Sequence, residues 1–153
     1  MTSPFTNLPD DQLLGLCLDR EARGEPTAGR IAVGSVVLNR VKFGLEHKAY
    51  GRIYGNSITS VILAPSQFSW TIKNKLDPNY LGALEIAHDF KAALKSKEFG
   101  QWLFPCWGIA QGLISGEIKP NTSALYYHEK SIHPAWAKGK APMAVFGNHF
   151  FYA

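Results

Sequence analysis

Two carboxylates four residues apart, Glu21 and Glu25, lie in the segment Glu21-Ala22-Arg23-Gly24-Glu25-Pro26. Leu14, Cys17, Leu18 and Glu21 follow the i, i+3, i+4, i+7 series, so a carboxylate takes the last inward place of an otherwise apolar helical stripe. Facing the core near a helix C-terminus, Glu21 meets desolvation and the negative end of the helix dipole, and both favour its protonated form. A general acid requires that form. Glu25 precedes Thr27 at the start of a next helix, where free N–H groups and the positive dipole end favour the anion. Two carboxylates pushed apart in this way match the pattern of glycoside cleavage, in which a neutral carboxylic acid protonates the glycosidic oxygen. The plainer reading is that Glu21 ends a helix beside Arg20 and that Glu25 is a cap, and spacing alone does not choose between the two.

Other side chains form smaller groups. After Pro65, Gln67-Phe68-Ser69-Trp70 reads as a short extended segment, in which alternation puts Gln67 and Ser69 on one face and Phe68 and Trp70 on the other. Gln67 and Ser69 are the candidates for binding, and Phe68 and Trp70 read as core. In Leu125-Tyr126-Tyr127-His128 the same alternation pairs Tyr126 with His128. Tyr126 is the stronger candidate, because a phenol can both orient a catalytic acid and hold a ligand hydroxyl. Trp136, after His133-Pro134, is either a rim residue of a cleft or the plug of a loop. His128, His133 and His149 raise the question of zinc, but Ile132 occupies the position that an i,i+4 histidine pair from His128 would need. No metal or other cofactor is assigned.

Several helices must position these groups. One runs from about Pro9 to Gly24, with Asp19 and Arg23 as a solvent-facing i,i+4 pair. A second starts near Thr27 and runs to about Lys42; it is apolar nearly all round and therefore central. A short helix fits between Asn56 and Ala64, and Asp77-Pro78 opens a long amphipathic helix to about Lys97. Another spans about Pro105 to Ser115, stopped by Gly116. Strand signals occupy 123–128 and 144–152, the latter folded at Gly147-Asn148. The fold class is α+β, mainly helical, with a small antiparallel sheet.

At 153 residues the chain reads as a single domain, 1–153, and 46% hydrophobic with 18% charged residues excludes disorder and coiled coil. The net charge of +4 favours a polyanionic partner, yet no run of basic residues singles out nucleic acid. Cys17 and Cys106 sit among apolar residues and read as buried hydrophobes. The amino terminus shows neither a basic n-region nor an apolar h-region, so synthesis into the cytoplasm is expected, and no apolar run reaches the ~20 residues of a membrane span.

The run from Glu21 to Pro26, followed by Gly29, Ala32-Val33, Val36-Val37 and Leu38-Asn39-Arg40-Val41, resembles the opening of the SleB-type cell wall hydrolases, which include spore cortex-lytic enzymes. The similarity continues at Gln67-Phe68-Ser69-Trp70, Ala124-Leu125-Tyr126-Tyr127-His128, Pro134-Ala135-Trp136 and Gly147-Asn148-His149-Phe150-Phe151-Tyr152. This resemblance implies a lysozyme-like fold acting on peptidoglycan glycan strands, generally as a lytic transglycosylase, with Glu21 at the position of the catalytic acid. Gln67, Ser69, Tyr126, His128 and Trp136 then become substrate-binding candidates, an amide being suited to an acetamido group and ring faces to sugars. In a hydrolytic muramidase, the first alternative, Glu25 is the obvious second carboxylate in sequence; a metal-dependent amidase or peptidase using the histidines and a non-catalytic wall-binding module are the remoter ones. The stretch 43–56 is longer than the family's usual link and can alter one cleft wall. The spore enzymes carry a signal peptide and a wall-binding repeat that this sequence does not show. The expectation is a monomeric, phage-type endolysin made in the cytoplasm and released through holin lesions.

Overall fold

Ala32 to Val37 are buried without interruption, as a helix apolar all round must be. In the computed structural model, which describes residues 2–153, they form the middle of α2 (Thr27–Glu46). Around it lie α1 (Asp10–Ala22), α3 (Lys48–Tyr54), α4 (Ile58–Ile62), α5 (Pro78–His88), α6 (Phe90–Lys95) and α7 (Gly100–Ser115). A three-stranded antiparallel sheet follows, made of β1 (Tyr126–Glu129), β2 (Ala144–Phe146) and β3 (His149–Tyr152). The architecture is α+β and mainly helical.

α1 starts after Pro9 with Asp10 and Asp11 in its first turn, where acids complement the helix dipole. It packs along α7 at very short range, because a Cβ on Gly15 would stand only 3.0 Å from the Trp107 Cα. The Trp107 indole N–H donates to Asp11 at 2.8 Å and fixes the register of the two helices. Cys17 and Cys106, buried and unpaired, lie in this core, and burial pushes the Cys106 thiol up to about 12.

Four expectations are corrected. Asp19 does not pair with Arg23 in solvent: it is 1% exposed and accepts from Nε and Nη2 of Arg20 at 2.9 and 2.6 Å. The long helix after Pro78 is two, because the Asp89 carboxylate caps a new start by accepting from the Ala92 N–H at 3.0 Å. The helix expected from Pro105 begins at Gly100 and carries Pro105 inside it, with Gly116 ending it in the left-handed conformation. The segment 67–70 is not extended. Ser66 turns the chain at φ 62, and Ser69–Thr71 is a 3-10 turn closed by the Thr71 hydroxyl donating to the Phe68 carbonyl at 2.7 Å.

β3 is the central strand, in the order β1-β3-β2. Tyr127 stands opposite Phe151 and Glu129 opposite His149, so these four share the inner face. Tyr126, His128, Phe150 and Tyr152 share the outer one. The sheet is latched to α2: the Asn39 side-chain amide donates to the carbonyls of Thr122 and Ala124, both at 2.9 Å. Arg40 Nε donates to the Leu125 carbonyl at 2.7 Å. Adjacent residues of the central helix thus set the approach to β1. Among the described residues no helix is long and apolar enough to cross a membrane.

Candidate active site

Glu21 reaches the last turn of α1 half-buried, with the inner face of β1 against it. The Tyr127 hydroxyl donates to Glu21 Oε2 at 2.8 Å. Burial pushes the Glu21 carboxyl up, and the exposed Glu129 carboxylate adds to this. The Tyr127 hydrogen bond and the Arg40 guanidinium pull the other way without cancelling it. The Tyr127 phenol is itself raised well above its usual value by burial and by the neighbouring Glu21 charge, so it stays a donor. Glu21 is therefore a carboxyl biased towards its neutral form, with one oxygen held by a directed phenol.

Glu25 lies under the β2–β3 turn. The Asn148 N–H donates to its two oxygens, Oε1 and Oε2, at 3.2 and 3.0 Å. His149 Nδ1 comes within 3.0 Å of Oε1, but out of line for its ring N–H to donate, so the contact is a close approach rather than a directed bond. Burial lowers the His149 imidazole, while the Glu25 charge opposes that shift. A Cβ on Gly147 would collide with the Glu25 carboxylate, so only glycine, here at φ 54, lets the turn close on it. Glu25 is committed to holding the hairpin. The carboxylate whose charge bears on Glu21 is Glu129, two residues along the strand from Tyr127 and on the same face.

A cavity of about 530 Å³ opens beside Tyr127 and brings Gln67, Tyr126 and Trp136 together with Arg40, Tyr54 and Lys140. Arg40, 7% exposed, lies over the Phe68 and Tyr126 rings at 5.8 and 5.6 Å from their centroids. Its Nη1 donates to Gln67 Oε1 at 3.4 Å, while the Gln67 NH₂ group donates to the Pro65 carbonyl at 3.5 Å, so the amide is held at both ends on the cavity wall. Trp136 packs on Tyr126 and Tyr152 with centroids 5.7 and 5.2 Å apart and is 41% exposed.

Ser69 and His128 are not part of this group. Ser69 is exposed at the start of its turn and does not line the cavity. His128 is held on the outer face, its Nδ1 2.7 Å from the Glu129 carbonyl and its Nε2 2.9 Å from the Tyr152 hydroxyl. Because a carbonyl only accepts, neutral His128 carries its proton on Nδ1. It lines a separate cavity of about 340 Å³ with His133. His149 stands on the inner face. Among the described residues no three His, Cys, Asp or Glu side chains converge as metal ligands would. A further cavity of about 520 Å³ lies beyond α1, between Arg20, Glu85 and Trp102, and does not include Glu21.

The family model described as Cell Wall Hydrolase matches residues 24–152 of this chain. The chain belongs to that family. No curated protein and no solved structure matches it. As a cell wall hydrolase it is an enzyme acting on peptidoglycan, in line with the SleB-type resemblance of its motifs. The match begins just after Glu21 and includes Glu25, so the contrast between these carboxyls comes from their surroundings and not from the extent of the match.

Sequence reasoning missed Tyr127, Arg40, Tyr54, Lys140 and Glu129 in this hydrolase. A signal existed for Arg40. Val33, Val36, Val37 and Arg40 repeat the i, i+3, i+4, i+7 series that singled out Glu21. For Tyr127 the alternation was visible, but not which face of the strand would meet α1.

Proposed function

We propose that this hydrolase cleaves the β-1,4 bond between N-acetylmuramic acid and N-acetylglucosamine as a lytic transglycosylase, with Glu21 as its acid and then its base. The observation that carries this reading is the half-buried Glu21 carboxyl, biased to its neutral form and oriented by Tyr127 beside a sugar-sized cavity. Glu21 donates its proton to the leaving glycosidic oxygen as the bond to C1 of the muramic acid breaks. The 6-hydroxyl of the same sugar then closes onto C1. Its proton passes to the Glu21 carboxylate, giving a 1,6-anhydro end and the starting state of the enzyme. Gln67, Tyr126 and Trp136 hold the sugar, Gln67 through the second N–H of an amide that Arg40 and the Pro65 carbonyl orient. One carboxylate suffices, which agrees with Glu25 being occupied by the hairpin.

The second reading, a hydrolytic muramidase, is favoured by one observation: Glu129 shares the strand face of Tyr127, and its charge reaches Glu21. There it would activate water in place of Glu25. Mass spectrometry of digested sacculi separates the two. Anhydro-muramic ends support the transglycosylase, whereas reducing ends that disappear in Glu129→Gln establish the hydrolase. We also propose a bacteriolytic, endolysin-like role for a chain made in the cytoplasm, which lysis of outer-membrane-permeabilised cells by purified protein tests.

A further inference from the structure

The cavity that Trp136 lines is also lined by Tyr54, the last residue of α3. Tyr54 is 37% exposed and rests on Tyr50 with centroids 4.7 Å apart, and Tyr50 rests in turn on Phe43 at 4.7 Å. Trp136 is backed in the same manner by Tyr126 and Tyr152. Both rims are thus half-open rings braced from behind, the form that accepts the apolar face of a sugar at little cost in side-chain freedom. The charged side chains lining the cavity are Arg40 and Lys140, and no carboxylate lines it. Arg40 is spent on the Leu125 carbonyl and Gln67. Lys140 is exposed and has no acidic partner among the described residues. An uncompensated ammonium beside two aromatic rims asks for a sugar bearing an anion.

We propose that this cavity is a subsite for a carboxylate-bearing sugar, its ring held between Tyr54 and Trp136 and its carboxylate paired by Lys140. The inference rests on the peptidoglycan reading and adds what in the glycan is read. The carboxylate has two sources: the free lactyl group of muramic acid stripped of its peptide, or a carboxylate of the stem peptide where that lactyl group is amidated.

Calorimetry on the full chain carrying Glu21→Gln, which slows turnover by about 10³-fold, tests the proposal. Its probes are chitotetraose, a stem-free peptidoglycan tetrasaccharide, and the same tetrasaccharide bearing stem peptides. At least one carboxylated glycan should bind about tenfold more tightly than chitotetraose at low salt. Adding Lys140→Gln should bring that ratio close to one, while the charge-matched Lys119→Gln leaves it intact. Tighter binding of the stem-free glycan assigns the carboxylate to the lactyl group, and tighter binding of the stem-bearing one assigns it to the peptide. Equal affinity for neutral and carboxylated glycans overturns the proposal. So does a Lys140→Gln variant that weakens all three by the same factor. Digestion of sacculi by the unmodified chain is a separate readout: its failure removes the glycan-cleaving reading, whereas digestion without carboxylate preference removes only this subsite.

Discussion

Glu21 and Glu25 are four residues apart and both meet the sheet, but they meet it differently. Glu21 faces the interior of β1 and receives one donor from a side chain, the Tyr127 hydroxyl, at a half-buried place where its charged form is disfavoured. Glu25 faces the β2–β3 turn and receives a backbone N–H, with His149 pressed against it. The first can gain or lose a proton without unfastening anything. Removing the second takes away the acceptor that fastens the turn of the hairpin carrying β3. A carboxylate's use in chemistry therefore follows from which groups hold it, and not from its nearness in sequence to another carboxylate.

The largest effect expected is on turnover. Glu21→Gln should lower release of soluble muropeptides by about 10³-fold, in the range for loss of a general acid, while Glu25→Gln retains most activity. The reverse order would break the comparison. Gly147→Ala forces a Cβ against Glu25 at a positive φ and should cost about 2–3 kcal/mol in denaturant unfolding. Glu25→Ala leaves the Asn148 N–H without its acceptor and should cost about 1–2 kcal/mol. In the double variant the two costs should not add, because the atoms that collide are gone.

Smaller effects sharpen the electrostatics. Tyr127→Phe removes a donor that favours the Glu21 anion, so the alkaline limb of the rate profile should move to higher pH. No movement would mean that the phenol does not tune the acid. The smallest effect is on stability. Glu21 has a folded-state value above its ordinary 4.5, so between those two values the folded chain binds more protons than the unfolded one. Stability then falls as pH rises through that window. Thermal melts of Glu21→Gln should match the unmodified chain below pH 4.5 and exceed it above the raised value.

Much of this arrangement was legible in the sequence. Helical periodicity put Glu21 on the buried stripe of α1, and the Gly147-Asn148 pair announced the hairpin. What stayed hidden depended on contacts between distant segments. Strand alternation separates Tyr126 from Tyr127 but does not say which one meets α1; pairing with β3 decides that. Arg40 is charged and was read as part of a motif, although its position repeats the buried spacing of the valines before it. Ser69 and Asp89 show the local limit, where a turn at Ser66 and a capping carboxylate each overrode the expected periodicity. Lys140 and Tyr54 are separated in sequence and meet only across the finished cavity.

The position of β3 between its neighbours has a consequence for the order of assembly. β1 has no strand beside it until His149–Tyr152 is in place, because β2 pairs with β3 and not with β1. A nascent chain that had reached Phe146 would already carry Glu21, Tyr127 and every residue lining the cavity, yet β1 would hang on the α2 latch alone, without the strand that pairs with Tyr127. The cleft is thus a product of late, long-range closure, and an incompletely synthesised enzyme is an unarmed one.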